Sequence, residues 1–521
     1  MLLGLALILG CGGDSEPTTR APHLVLLTID TLRADHMSLH GYPRATTPRL
    51  EQFAESAVTF DRAIVQWPKT GTSFASMFIG RYPQSTGLTH RASLEIPPAF
   101  GSLPKALQAA GYRSIAVVSN PVLSRDLGWD RGFDRYLYSW GEEMSDELTV
   151  FRQQLSAEAV NAVAFEALDE LLAEPSDQPL FLWFHYSDPH APYTIPEGSE
   201  NPFTGDDLYD AAGAEAAPEG LGAGRFVPGL TEQRQYVANY DANIAIVDDH
   251  IGQMLGRLEE EGILQNAVTV VTADHGESLG EHGLFYEHGP LPYNTTSHVP
   301  LQIALPGGGG AAGSRVAEPV ELIDLAPTLV ELLPALRGQE GGFASVSLGI
   351  ATATESSGDA KADTASAGPV GADGAASPEG DAASEAAQLA ALGPFDQTFE
   401  GRSLVPFLRG SSALDSAIRP AYSEAGQAGR RRYRSLQEDR FKLVFREPGR
   451  DRRPARRDFE LYDLVQDPLE TTNLLDRQPP ELRRLRRLIL EFTERSQPSL
   501  TEKRRPRSEA ERKALEKLGY L

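Results

Sequence analysis

Val268-Thr269-Val270-Val271-Thr272-Ala273-Asp274-His275-Gly276-Glu277 carries a β-branched run into an adjacent carboxylate and imidazole beside a glycine. The run 268–272 predicts a strand buried on both faces, as in parallel sheets. Open α/β sheets bind their ligands beyond the carboxyl ends of the strands. Asp274 and His275 therefore stand where both can reach one divalent cation. The pattern repeats near the N-terminus, where Leu24-Val25-Leu26-Leu27-Thr28-Ile29-Asp30 is a second apolar strand ending in a carboxylate. An Asp in that place also serves as a helix cap, but two strands of one type, each ending in Asp, point to a shared site. Between them lies the polar turn Pro68-Lys69-Thr70-Gly71-Thr72-Ser73, running into Phe74-Ala75-Ser76-Met77-Phe78. A hydroxyl on a loop before a helix sits in the positive field of free N–H groups. Read alone, Thr70 is an N-cap; with a metal beside it, Thr70 can ionise and attack phosphorus or sulfur.

Working outward, strands and helices alternate. Residues 48–56 and 103–111 read as helices and 114–118 as a strand. In 157–172, Val160, Val163, Ala164, Leu168 and Leu171 share one helical face. A strand over 180–185 delivers Asp188 and His190, and a long helix over 240–261 precedes the 268–272 strand. Right-handed crossovers would bring these strand ends to one side of a sheet.

Ordered motifs then carry a resemblance. They are Ile29-Asp30-Thr31-Leu32-Arg33-Ala34-Asp35-His36, Gly41-Tyr42-Pro43, Thr46-Thr47-Pro48, the Thr70 turn ending Gly80-Arg81-Tyr82-Pro83, and Phe184-His185-Tyr186-Ser187-Asp188-Pro189-His190-Ala191-Pro192-Tyr193. Asp274 to Gly283 belongs with them, as do Phe441-Lys442-Leu443, Glu460-Leu461-Tyr462-Asp463-Leu464 and Asp467-Pro468-Leu469-Glu470-Thr471. From about Pro22 to the C-terminus, apart from one insertion, the chain resembles the sulfatase-like branch of the alkaline phosphatase superfamily. The resemblance implies an α/β fold, a doubly wound, mostly parallel sheet flanked by helices, with a small C-terminal antiparallel α+β subdomain. It implies a catalytic domain over 21–337 and a completing subdomain over 398–521. It also implies a metal held by Asp30, Asp274 and His275, with Lys69 neutralising substrate oxygens. His190 matches the family histidine that contacts substrate or protonates the leaving group, and His288 falls near a position where many sulfatases place a lysine. Each histidine can equally be a hydrogen-bonded structural residue.

The departures carry as much information as the matches. Where sulfatases have C-x-P-S-R or S-x-P-S-R, whose first residue becomes formylglycine, this chain has Thr70-Gly71-Thr72-Ser73-Phe74. A threonine bears a methyl on Cβ and cannot be oxidised to an aldehyde there, so no formylglycine is expected. Thr31 replaces the second member of the Asp-Asp metal pair common in sulfatases. Lys69-Thr70 followed by Tyr82-Pro83-Gln84-Ser85-Thr86-Gly87 is similar to the threonine-nucleophile phosphodiesterases of the superfamily. The reading is a metal-dependent hydrolase of phosphodiesters or phosphomonoesters, acting on an anionic ester through Thr70. A sulfatase working without formylglycine, a headgroup phosphotransferase and a non-catalytic surface binder are the alternatives. Hard oxygen ligands suit one Ca²⁺, Mg²⁺ or Mn²⁺. A two-zinc site would draw further ligands from Asp188, His190, His282, His288 and His298.

The ends and the middle of the chain read differently. Residues 2–9 are too short an apolar run to span a bilayer, and Ile8-Leu9-Gly10-Cys11 resembles a bacterial lipoprotein cleavage box. Cys11 is the only cysteine in 521 residues. It is expected to be lipidated, with a tether to about Arg20 holding the protein at the bacterial cell envelope, facing the periplasm or exterior. No Lys or Arg precedes the apolar run, which departs from the usual signal. Residues 338–397 are rich in Ala, Ser, Gly, Asp and Glu, lack the apolar surface to fold, and read as a disordered acidic insertion. A hairpin about Glu438-Asp439-Arg440 and helices over 480–495 and 509–518 are expected in the C-terminal subdomain. Arginines at 430–434 and 450–457 read as a solvated face or as a contact for anionic lipid or polymer. A formal charge of −25 argues against a nucleic-acid partner, which needs a basic footprint.

Overall fold

The computed structural model describes residues 20–89, 100–141, 144–145, 153–196, 198–205, 208, 225–333, 399–411, 419–426, 431–448, 452–477 and 479–494. Cys11, the insertion 338–397 and the expected helix 509–518 lie outside these residues. Among the described residues no helix is long and apolar enough to cross a membrane.

In chain order the larger sheet uses β1 (His23–Ile29), β2 (Ala57–Ile64), β3 (Arg113–Val118), β4 (Arg135–Tyr138), β5 (Leu180–Tyr186) and β6 (Ala267–Ala273). The small hairpin β7 (Ser278–Leu279) and β8 (Phe285–Glu287) follows, and then β9 (His298–Ala304), β10 (Arg315–Val316) and β11 (Val320–Glu321). The spatial order is β10-β2-β9-β6-β1-β5-β3-β4, with β11 also beside β2. Every pairing is parallel except those of β9, which runs antiparallel to both β2 and β6. Every residue of β5 and β6 is buried, as continuous apolar runs at the centre of a parallel sheet should be. β1 lies between β6 and β5, so Asp30 and Asp274 leave neighbouring strands at the same end.

Among the described residues, the helices of two turns or more are α1 (Pro48–Ala54), α2 (Thr70–Ile79), α3 (Leu103–Ala109), α4 (Ala157–Leu172), α5 (Gln233–Glu260), α6 (Leu325–Leu332) and α7 (Glu481–Glu494). Two begin earlier than the sequence predicts. α5 starts at Gln233 because Gln235 Oε1 accepts from the Thr231 and Glu232 amides (2.8 and 3.0 Å), half of a reciprocal capping box. α2 starts at Thr70 rather than near Phe74. Lys69 is the extended cap, and its carbonyl accepts from Ser73 N–H at 2.8 Å. Thr70 is therefore the first helical residue, not a cap.

A second, antiparallel sheet is built from β12 (Ala421–Ala425), β13 (Tyr433–Gln437), β14 (Phe441–Arg446) and β15 (Phe459–Asp463). β13 and β14 form the expected hairpin, with Gln437 opposite Lys442. Leu482, Leu485 and Ile489 of α7 share a buried cluster with Leu436, Leu443, Phe445 and Phe459. The small sheet joins the large one where Glu424 N–H donates to Gln66 O (2.8 Å) and Tyr422 N–H to Glu321 (2.9 Å). Much of the arginine run is spent internally: Arg434 is buried against Glu424 and Glu447, and Arg452 and Arg456 pair with Asp458 and Asp476.

Candidate active site

Asp30 follows β1, and Asp274 and His275 follow β6. All three are buried, and one ligand atom from each lies within 4.8 Å of the others. His275 Nδ1 is 3.0 Å from the Gly276 carbonyl. A carbonyl only accepts, so Nδ1 carries the proton and Nε2 presents its lone pair. That nitrogen is 3.4 Å from Asp274 Oδ2 and 3.7 Å from Asp30 Oδ1. Neither oxygen has a hydrogen-bond donor among the described residues. Burial and the charge of Asp274 push the Asp30 carboxyl well above its usual range. Two buried carboxylates with bare oxygens are costly unless a cation joins them. The residues thus fit a divalent metal, and two carboxylates with one imidazole suit Mg²⁺, Mn²⁺ or Ca²⁺.

Local structure holds these groups in place. Asp274 Oδ1 accepts from His275 N–H at 2.9 Å and from Thr31 N–H at 3.4 Å. Thr31 sits at φ 55°, an unfavourable conformation for a β-branched residue. Its amide reaches Asp274 while its carbonyl accepts from Tyr240 OH at 2.7 Å. Gly276 donates to Thr296 O at 2.9 Å, and a Cβ there would lie 2.3 Å from Thr295 O. The buried Arg33 guanidinium donates to the Glu277 carbonyl and to Glu281 and Asp35, tying the loop after β6 to the segment after β1.

Thr70, at the amino end of α2, brings its Oγ1 to 3.2 Å from His275 Nε2. The Lys69 stem packs on Gly289, where φ is +98° and a Cβ would meet Lys69 Cε at 2.3 Å. Burial lowers the Lys69 pKa. His288 Nδ1 donates to Glu277 Oε1 at 2.9 Å, and its ring centre is 4.1 Å from that of His275. His190 is next, 5.3 Å from His288 between ring centres. Thr70, Lys69, His190 and His288 therefore gather near Asp30, Asp274 and His275, all on loops or element ends.

The sulfatase family model matches residues 22–335. The chain belongs to the sulfatase family. Human iduronate 2-sulfatase is 23% identical over 383 residues, covering 64% of this chain and 68% of that relative. The phosphonate monoester hydrolase of Agrobacterium radiobacter superposes with a TM-score of 0.61 at 18% identity, covering 91% of this chain and 95% of that one. The phosphonate monoester hydrolase of Silicibacter pomeroyi gives 0.61 at 22%, covering 92% and 97%. At these identities the structural likeness is one of fold. The sulfatase family and its alkaline phosphatase superfamily make the protein a hydrolase that cleaves ester bonds, and enzymes of this superfamily use a divalent metal.

Of the side chains a two-zinc site would draw on, His190 and His288 stand at this sulfatase-family site, while three others are engaged elsewhere. Asp188 instead accepts from Ala157 N–H at 2.8 Å, capping α4. His282 is exposed and stacks on Tyr293, and His298 Nε2 donates to Asp61 O at 2.8 Å. Among the described residues, Asp30, Asp274 and His275 are the only group of three or more such side chains close enough to share an ion. Other residues of the site were not singled out from the sequence. Glu277, fully buried and with its pKa raised by burial, orients His288. Asn120 donates to Asp30 Oδ2 at 2.6 Å. His185 lies 3.8 Å from the same oxygen, its pKa pulled down to about 4 by burial. Glu277 stood in the quoted stretch, whereas Asn120-Pro121 reads only as a turn.

Proposed function

We propose that this protein is a metal-dependent phosphoester hydrolase in which Thr70 is the nucleophile. The observation that carries the reading is Thr70 Oγ1 at the amino end of α2, 3.2 Å from His275 Nε2 and beside two bare carboxylate oxygens. Asp30, Asp274 and His275 would hold a divalent metal, whose positive charge would lower the pKa of the Thr70 hydroxyl and offset charge on the ester oxygens. Thr70 Oγ1 attacks phosphorus in line, an Oγ1–P bond forms, and the bond to the leaving oxygen breaks. Lys69 and the α2 amide groups face the charge that develops on the non-bridging oxygens. His190, in its imidazolium form, would give the leaving oxygen its proton, whereas His288, with its Nδ1 proton held by Glu277 and its pKa lowered by burial, is left to contact the ester through Nε2. Water then attacks the phosphothreonine, breaks the Oγ1–P bond and restores the hydroxyl.

Chemistry favours phosphorus over sulfur at this nucleophile. A formylglycine hydrate can expel its sulfate by collapsing to the aldehyde, whereas threonine has no such exit. Its intermediate must be cleaved at phosphorus or sulfur by a second in-line attack. The fold is shared with phosphonate monoester hydrolases and with sulfatases alike, so it accommodates either centre and the nucleophile carries the choice. The test is turnover of matched aryl phosphodiesters, phosphomonoesters and sulfates by metal-loaded wild type and Thr70→Ala. Phosphoester turnover abolished by the substitution is expected. Turnover confined to the sulfate, or unaffected by Thr70→Ala, would contradict the proposal.

We further place the protein at the bacterial cell envelope, tethered through a lipid on Cys11. Cys11→Ala is expected to move it from the membrane to the soluble fraction; unchanged fractionation refutes the anchor.

A further inference from the structure

The carboxylate of Asp30 is held from behind. Asn120, fully buried, donates through Nδ2 to Asp30 Oδ2 at 2.6 Å. The orientation of this amide is determined, because its Oδ1 accepts from Val122 N–H at 3.0 Å. A flipped amide would set oxygen against oxygen on one side and N–H against N–H on the other. The adjacent residue pins the loop to β5, since Ser119 Oγ donates to His185 O at 2.8 Å. With Oδ2 engaged, Asp30 Oδ1 is the oxygen 3.7 Å from His275 Nε2, and it accepts no hydrogen bond from a described residue.

We propose that Asn120 is the positioning residue of the metal site: by holding Oδ2 it makes Oδ1 the oxygen of Asp30 that binds the divalent ion. The inference rests on the reading of Asp30, Asp274 and His275 as metal ligands. A side chain that orients a ligand in this way is typically worth about 10- to 100-fold in metal affinity. The competing account is that Asn120 only caps the turn Pro121–Leu123, a task a serine hydroxyl performs equally well.

Asn120→Ser separates the two, since it keeps the turn acceptor and has no amide to offer Asp30. Mn²⁺ alone is the probe, with free ion counted by electron paramagnetic resonance in titrations of the full chain, and metal-free melting curves recorded alongside. Ser119→Ala, which loosens the same loop without touching Asp30, is the control. If the serine chain fails to melt cooperatively, Asn120→Thr takes its place. The expected result is Mn²⁺ binding about 10- to 100-fold weaker in Asn120→Ser, with Ser119→Ala close to wild type. Equal affinity in Asn120→Ser, or an equal loss in Ser119→Ala, overturns the inference while leaving the metal site standing. A wild type that binds no Mn²⁺ overturns the inference and the metal reading together.

Discussion

Glu277 and His288 illustrate how buried polar groups gain roles that their spacing alone does not disclose. Glu277 Oε1 takes the Nδ1 proton of His288 at 2.9 Å, which fixes the tautomer and the ring plane beside His275. Removing the acceptor takes away the hydrogen bond that orients Nδ1. Glu277→Ala is expected to lower kcat by roughly 10- to 100-fold with a smaller change in KM. Glu277→Gln, whose amide oxygen can still accept, should fall between it and wild type. Steady-state kinetics on a phosphoester, with melting curves to confirm folding, check that order; equal rates for all three chains would contradict it. The grouping of Asp30, Asp274 and His275 was legible in the sequence because each follows an apolar run that reads as a central strand. Asn120 and Glu277 were not, because a turn Asn and a loop Glu have many commoner uses. Only the fold reveals that they meet Asp30 and His288.

At the scale of elements, β1, β5, β6 and α4 stand where their patterns predicted, since continuous burial and one-sided helical spacing leave little choice. β2 and β9 were hidden. β2 is interrupted by Asp61 and Arg62, where its register against β9 shifts between Phe60 and Ala63. β9 contains Pro300, which cannot donate to a ladder and is accommodated at that irregularity. The Pro300 carbonyl still accepts from Thr272 Oγ1 at 2.8 Å. The β6 loop depends on this packing, because Gly276 fits directly under the Thr295 carbonyl. Gly276→Ala is expected to destabilise the fold by about 1–3 kcal/mol through overpacking and to abolish turnover by displacing His275. Chemical denaturation and activity test this together, and an alanine chain of unchanged stability and rate would show that the loop is not tightly seated.

For the molecule as a whole, His40 makes one contribution to the dependence of stability on pH. His40 is half-buried with its pKa pulled down to about 3, first by desolvation and then by His298 and Arg315. Between pH 6.5 and about 3 the unfolded chain takes up a proton that the folded one resists. The resulting stability is present above the unfolded pKa and is lost as pH falls towards the folded one. His40→Gln should therefore lose less stability between pH 7 and pH 4 than wild type does, as measured by denaturant midpoints at each pH. Parallel slopes would mean that His40 is not coupled to folding.

The proposed Thr70 nucleophile implies two successive in-line attacks at phosphorus. Central strands deliver Asp30, Asp274 and His275 to one end of the sheet, and α2 points its amino end at them. The stereochemistry of hydrolysis at a phosphodiester made chiral at phosphorus tests this directly. Attack by Thr70 followed by attack of water inverts phosphorus twice, so the account predicts net retention. Net inversion would mean that water attacks the ester in a single step and that Thr70 is not the nucleophile.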